Sequence, residues 1–253
     1  MTPDMNKRSA ALRHLWPSVI VLVFIASLIL LVWYPYPFLQ FKANDKFSLA
    51  LIAAAGVIGP ALTWFLYRKG KWGLVFDLVV VVLIQIAAIA WATFALYQNR
   101  PYFMVFTVDR FEVLSIREVE FSNPEQLKFL DKPWVGPTLV YANMPLEPQA
   151  FQKLLKEIMF EGKPDLQFRP EFWSFYSERQ LQTLKVSKSL TDLLGARPES
   201  ANQIDQLVAK HGGVIAKLNF VPGMNRDGAF AAILDADNGE VLDMLSINAW
   251  LDE

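Results

Sequence analysis

Three apolar stretches, Leu15–Tyr34, Phe47–Tyr67 and Leu74–Tyr97, precede 154 residues that contain no fourth. Nothing else in the chain restricts its folding so strongly. Each stretch has about 20 residues or more, and at about 1.5 Å per residue each can cross a hydrocarbon core of about 30 Å. The first two contain no Asp, Glu, Lys or Arg, and the third contains only Asp77. A soluble helix of that length would carry a polar stripe. The pattern predicts a membrane protein: three N-terminal transmembrane α-helices (residues 1–99), then an α+β soluble domain with an antiparallel sheet (residues 100–253).

Charge divides the same way. Residues 1–99 sum to +5 and residues 100–253 to −6. An acidic soluble part argues against nucleic acid or anionic lipid as its main partner. The absence of cysteine removes disulfides, thiol catalysis and thiolate metal sites. The first apolar run is too long for a signal-peptide core and lacks a small-x-small cleavage site, so it reads as retained. Trp33-Tyr34-Pro35-Tyr36 suits an interfacial anchor.

Short loops set the expected orientation. Lys7, Arg8 and Arg13 precede span one, and Arg68, Lys69 and Lys71 follow span two; only Lys42 and Lys46 lie between the two spans. The positive-inside rule places the N-terminus in the cytoplasm and the large domain outside, which in a Gram-negative cell is the periplasm. Gly59-Pro60 should kink or loosen span two and free carbonyls that need partners inside the protein.

Beyond Arg100-Pro101, Tyr102–Arg110 reads as a strand and Phe111–Val119 as extended chain. A short strand is expected at Thr138–Tyr141. Phe151, Leu154, Leu155, Ile158 and Met159 follow helical spacing, predicting a helix over Glu147–Glu161 with Pro148 in its first turn and Gly162 after its end. A second helix is expected at Glu199–His211 and a helical turn at Leu190–Leu194. Val214–Val221, Gly228–Leu234 and Glu240–Ile247 read as strands, with Asn238-Gly239 as a tight turn in which both residues have positive φ.

Catalytic, cofactor and metal signals are weak. Asp235-Ala-Asp237-Asn238-Gly239-Glu240 has its glycine fifth rather than sixth and Ser246 at the twelfth place, so it reads as a hairpin turn and not a calcium loop. The expected topology separates His14 from His211 across the bilayer, and no G-x-S-x-G elbow is present. The expectation is therefore no enzyme, no cofactor and no metal. Candidate contacts with a partner or between helices are Gly56, Gly59 and Pro60 on span two, and Asp77 and Gln85 on span three. The glycines permit close helix approach. Asp77 and Gln85 lie two turns apart on a face that should avoid lipid, with interfacial pairing of Asp77 to Lys69 or Lys71 as the alternative. Membrane-proximal residues that would orient the domain are Trp33, Tyr34, Arg100, Asp109 and Arg110.

These landmarks occur in an order that resembles the type IV pilin accessory proteins, the TfpX/TfpZ family. The resemblance is carried by Trp33-Tyr34-Pro35 with Pro37-Phe38, by Gly59-Pro60-Ala61-Leu62-Thr63, and by Asp77-Leu78 with Gln85. Arg100-Pro101 and Phe106-Thr107-Val108-Asp109-Arg110-Phe111-Glu112-Val113 complete it. It covers about residues 16–114. Two positions depart from the family pattern: Ala55 stands where an acid is common, and Trp91-Ala92 where Tyr-Gly is common. The resemblance implies a bacterial inner-membrane protein that promotes type IV pilus assembly by binding a cognate pilin or the assembly machinery, without catalysis. A homodimer is compatible with the small-residue faces. The competing classes are a membrane-anchored periplasmic enzyme and a small-ligand-binding module.

Overall fold

The computed structural model describes residues 6–38, 45–68, 71–131, 133–225 and 228–251, with only the backbone for 45–48. Lys42, Lys69 and Gly70, used above for orientation and for the turn after span two, lie outside them, as does the side chain of Lys46. The chain forms two compact units. One holds three long apolar helices; the other holds the described residues from Pro101 onward together with residues 36–38.

In the first unit, α1 spans Lys7–Leu28 and continues as a π-helical turn at Ile29–Trp33, α2 spans Asp45–Leu66, and α3 spans Leu74–Asn99. All three are long and apolar enough to cross a membrane. The first helix begins eight residues before the expected span. Asn6 and Ser9 form a capping box there, each side chain bonding the other's backbone N–H at 2.9 Å, so the helix is already closed when the basic segment starts. Its end falls where Pro35 and Pro37 forbid continuation. Pro60 lies inside α2, which remains one helix; the neighbouring Gly59 carbonyl accepts from Thr63 Oγ1 at 3.0 Å. Helix α2 packs against both α1 and α3.

The second unit is built on a curled, mixed sheet. Its strands are β1 Phe103–Thr107, β2 Arg110–Leu114, β3 Thr138–Ala142, β4 Trp173–Phe175, β5 Lys188–Ser189, β6 Leu218–Asn225, β7 Gly228–Asp235 and β8 Val241–Leu245. The order is β4-β3-β1-β2-β6-β7-β8, with β5 also pairing β6. Among the described residues, four α-helices accompany it: α4 Pro148–Phe160, α5 Gln180–Thr183, α6 Leu190–Ala196 and α7 Ala201–Lys210. Most pairings are antiparallel, but β1 with β3 and β2 with β6 are parallel. The sheet is therefore not antiparallel throughout. Each parallel partner is reached by a long crossover, and such partners are not visible from local turn signals.

Alternation along the strands explains the curl. Met104 and Phe106 of β1 share one face with Phe111, Val113, Phe230, Ala232 and Leu234, and Phe38 joins them from outside the sheet. Phe103 and Val105 point the other way, to Leu154 of α4, Phe129 and Trp173. Ala231 and Ile233 of β7 meet Leu193 of α6 and Ile204 of α7. A strand buried on both faces reads as a continuous apolar run, as Phe103–Phe106 and Phe230–Leu234 do. Around the shared inner face the sheet bends far enough for Tyr176, just past β4, to donate to the carbonyl of Gly239 beyond β7 at 2.7 Å. Burial pushes the Tyr176 phenol up to about 12, so it stays a donor.

The Asn238-Gly239 turn differs from the tight form expected. Only Gly239 has positive φ, at 78°. Asp235 Oδ1 accepts from the backbone N–H of Asp237 at 2.8 Å and of Asn238 at 3.1 Å, an Asx arrangement that supports a longer loop. A Cβ on Gly239 would lie 2.4 Å from the Gln180 carbonyl oxygen. The glycine therefore serves both the turn and its docking onto α5.

Candidate functional site

The three long helices carry a polar cluster within an apolar unit. On α1, His14 and Ser18 are one turn apart, and Ser18 Oγ donates to the His14 carbonyl at 3.0 Å. On α2, Gly59 and Thr63 are related in the same way. Each hydroxyl is thus spent on its own helix and presents lone pairs to its neighbours. Gln85 of α3 donates through Nε2 to Ser18 Oγ at 3.0 Å. The His14 ring bridges the helices, with Nδ1 at 2.6 Å from Thr63 Oγ1 and Nε2 at 2.8 Å from Gln85 Oε1. Ser18, Thr63 and Gln85 are all buried. Hydrogen bonding is the only inexpensive way to hold such groups away from water.

Glycine makes room for this cluster. A Cβ on Gly59 would lie 1.9 Å from Gln85 Oε1, and one on Gly56 would lie 2.1 Å from the Leu22 side chain of α1. The two glycines therefore face the other two helices of the same chain, and Pro60 follows Gly59 within α2. Gln85 and Gly59 come together; Asp77 does not join them. Asp77 pairs with Lys71, near the start of α3.

At the other end of the helices, Tyr34 is buried and donates to the Leu96 carbonyl at 2.8 Å. Trp33 packs edge-on to Tyr97 with ring centroids 5.2 Å apart. Arg100 lies over the Tyr97 ring, 3.8 Å from its centroid, and donates to the Tyr97 carbonyl at 2.7 Å. In the second unit, Asp109 and Arg110 belong to the β1–β2 hairpin. Arg110 pairs with Asp109 at 3.5 Å and with Glu112 at 3.0 Å.

Sequence reasoning missed His14, Ser18 and Thr63. The expected span starts at Leu15, one residue past His14, whereas the helix starts at Lys7 and carries the His14 ring to α2 and α3. The available signal was spacing: His14 with Ser18, and Gly59 with Thr63, each four residues apart.

Two hollows lie along α1 and α3. One, of about 490 Å³, is bordered by Arg13, His14, Ser18, Thr63 and Gln85. The second, of about 440 Å³, is bordered by Trp33, Thr93, Phe94 and Tyr97. Val21, Ile86 and Ile89 line both. The second unit has a hollow of about 390 Å³ beside β3, with Asp131, Thr138, Tyr176, Gln180 and Glu240 among its lining. Among the described residues no group of three or more His, Cys, Asp or Glu could hold a metal ion.

Two carboxylates of the second unit, Glu157 and Asp243, are held in ion pairs between elements. Hydrogen bonds from Lys163, at 3.0 Å, and Arg169, at 2.8 Å, hold the Glu157 carboxyl of α4 below its ordinary range. Burial would raise Asp243 of β8, but Lys210 at 2.7 Å, the Met244 backbone N–H and His211 outweigh it and leave it lowered.

Three candidate spans joined to a curled α+β domain define a membrane protein with a substantial extramembranous part. Comparison with known proteins narrows this. The chain is 27% identical over 185 residues to "Fimbrial assembly protein, serogroup I" of Dichelobacter nodosus, covering 70% of each chain. It is 26% identical over 185 residues to the serogroup E1 protein, again covering 70% of each. To the protein of serogroups C1 and C2 it is 30% identical over 104 residues, 40% of this chain and 79% of that one. The chain therefore belongs to the family of these fimbrial assembly proteins, as a distant homologue. No family model matches the chain. No solved structure matches it either.

Proposed function

We propose that this chain is an inner-membrane accessory protein of the TfpX/TfpZ kind, which promotes type IV pilus assembly by binding a cognate pilin or the assembly machinery. It acts through contacts and not catalysis, with its N-terminus in the cytoplasm and its sheet domain in the periplasm. The observation that carries this reading is the extent of the homology to fimbrial assembly proteins. An alignment over 70% of the chain is longer than either compact unit and must draw on both. The relationship therefore concerns the joined architecture and not one shared helix bundle.

The carboxylates support a contact role. An acid–base pair would need groups poised near neutrality. Glu157 and Asp243 are shifted the opposite way and engaged in ion pairs.

The test is a gene deletion with a complemented control, measuring total cellular pilin and surface-sheared pilin in the same cultures. Normal cellular pilin with depleted surface pilin is the expected result. Equal pools in mutant and wild type would remove the proposal.

A further inference from the structure

The curled sheet comes near to closing but does not. Strands β4 and β8 end the strand order, so each keeps one edge without a strand partner among the described residues. The Tyr176 hydroxyl reaches the Gly239 carbonyl across the gap. A hollow of about 390 Å³ is bordered there by Phe175 at the end of β4, by Tyr176, and by Val241 at the start of β8.

Three properties of this seam select an occupant. The first is charge. Asp131 and Glu240 line the hollow, and no Lys or Arg does. Neither carboxylate belongs to an ion pair of the described residues. Two like charges bordering one hollow favour a cation within it. The second is an unspent hydrogen-bonding group. Thr138, the first residue of β3, lines the hollow and is 5% exposed, and its Oγ1 has no hydrogen-bond partner. A buried hydroxyl left so is costly, and a donor entering the hollow removes that cost. The third is the rim. Pro133 and Pro137 line the hollow and flank Trp134 and Val135, which are 83% and 48% exposed. Prolines limit the freedom of this loop, so the indole is displayed at low entropic cost. An exposed tryptophan anchors a protein partner, whereas a small cation needs no such rim.

We infer that this seam receives an extended segment of a partner protein, with one lysine or arginine side chain in the hollow and an apolar neighbour on Trp134. Both basic side chains carry only donors, which suits two carboxylates and a hydroxyl oxygen. Free strand edges on either side suit an extended chain, whose backbone they can bond. The partner's identity rests on the proposed function; the chemistry of the seam does not.

The test uses the full chain in nanodiscs of phosphatidylcholine. The probes are fluorescent peptides of about ten residues, alternating Thr and Val, with Lys, Gln or Glu at the centre. Anisotropy titration should show the Lys peptide binding about tenfold more tightly than the Gln peptide, with the Glu peptide weakest. Asp131→Asn combined with Glu240→Gln should abolish that preference. Trp134→Ala should weaken the Lys and Gln peptides alike. Thr138→Val should weaken the Lys peptide without lowering the thermal midpoint, since it removes a hydroxyl that has no partner in the chain. A threonine with a structural role alone would show the reverse. Equal binding of the three peptides, or none, would overturn the inference. Lysine amide binding as tightly as the Lys peptide would overturn it too, by reducing the hollow to a site for a small cation. So would self-association that the double variant abolishes, which gives the seam to a second copy. In cells, wild-type surface pilin in the double variant, with a deletion that remains defective, would remove the seam's part in assembly and leave the assembly role standing. An innocuous deletion would instead remove the assembly role, and the peptide titration would then decide the seam by itself.

Discussion

Single residues in the second unit set turn and packing geometry that larger elements depend on. Gly239 combines a positive φ with contact to the Gln180 backbone, so Gly239→Ala should destabilise the unit by about 1–3 kcal/mol, read from its denaturant midpoint. Val108, at the β1–β2 turn, has φ 50°, which is costly for a β-branched side chain. Val108→Asn should therefore raise stability by about 1 kcal/mol, because Asn enters this region with less strain. A fall in melting temperature would contradict that view of the turn. Gly223 lets the Phe230 ring lie over its cross-strand partner, since a Cβ there would meet the ring at 2.2 Å. Of these three, only Gly239 was visible beforehand, through its Asn-Gly pair. The Val108 strain and the Gly223 approach depend on which residues pair across strands, which composition does not specify.

At the scale of elements, ion pairs and hydrogen bonds join pieces distant in sequence. Glu157 of α4 reaches Arg169 and Lys163. Its folded-state affinity for a proton is lowered, so its contribution to stability is present above the ordinary carboxylate range and is lost as pH falls through the folded value. Glu157→Gln should lower the denaturant midpoint at neutral pH, and the gap from wild type should close as the solution is acidified below the ordinary carboxylate range. A gap independent of pH would show that packing and not charge holds the helix. In the membrane unit, Gln85→Leu alone leaves Ser18 and the His14 ring short of a partner and should loosen the bundle. Removing His14 and Gln85 together by apolar residues should cost less than the two single changes combined. Thermal unfolding in detergent of the four variants would measure that coupling, and strict additivity would argue against a shared network.

For the whole molecule, the chain order and the compact units do not coincide. Phe38 lies between two long helices in sequence but is 3% exposed in the core of the sheet unit, beside Phe106, Phe111 and Phe230. Phe38→Ala should destabilise that unit by about 3–5 kcal/mol, and a fragment starting at residue 101 should be weakened similarly against urea. The three long helices, the α+β class and the positions of most elements are legible in the residues alone. Those follow from length of apolar run, from periodicity and from proline and glycine, all of which act locally. The two parallel strand pairings, the insertion of Phe38, and the joining of His14, Ser18, Thr63 and Gln85 emerge only once the chain is folded. Each of those depends on residues brought close from far along the chain, where the energy of a contact depends on its partner as well as on the residue itself.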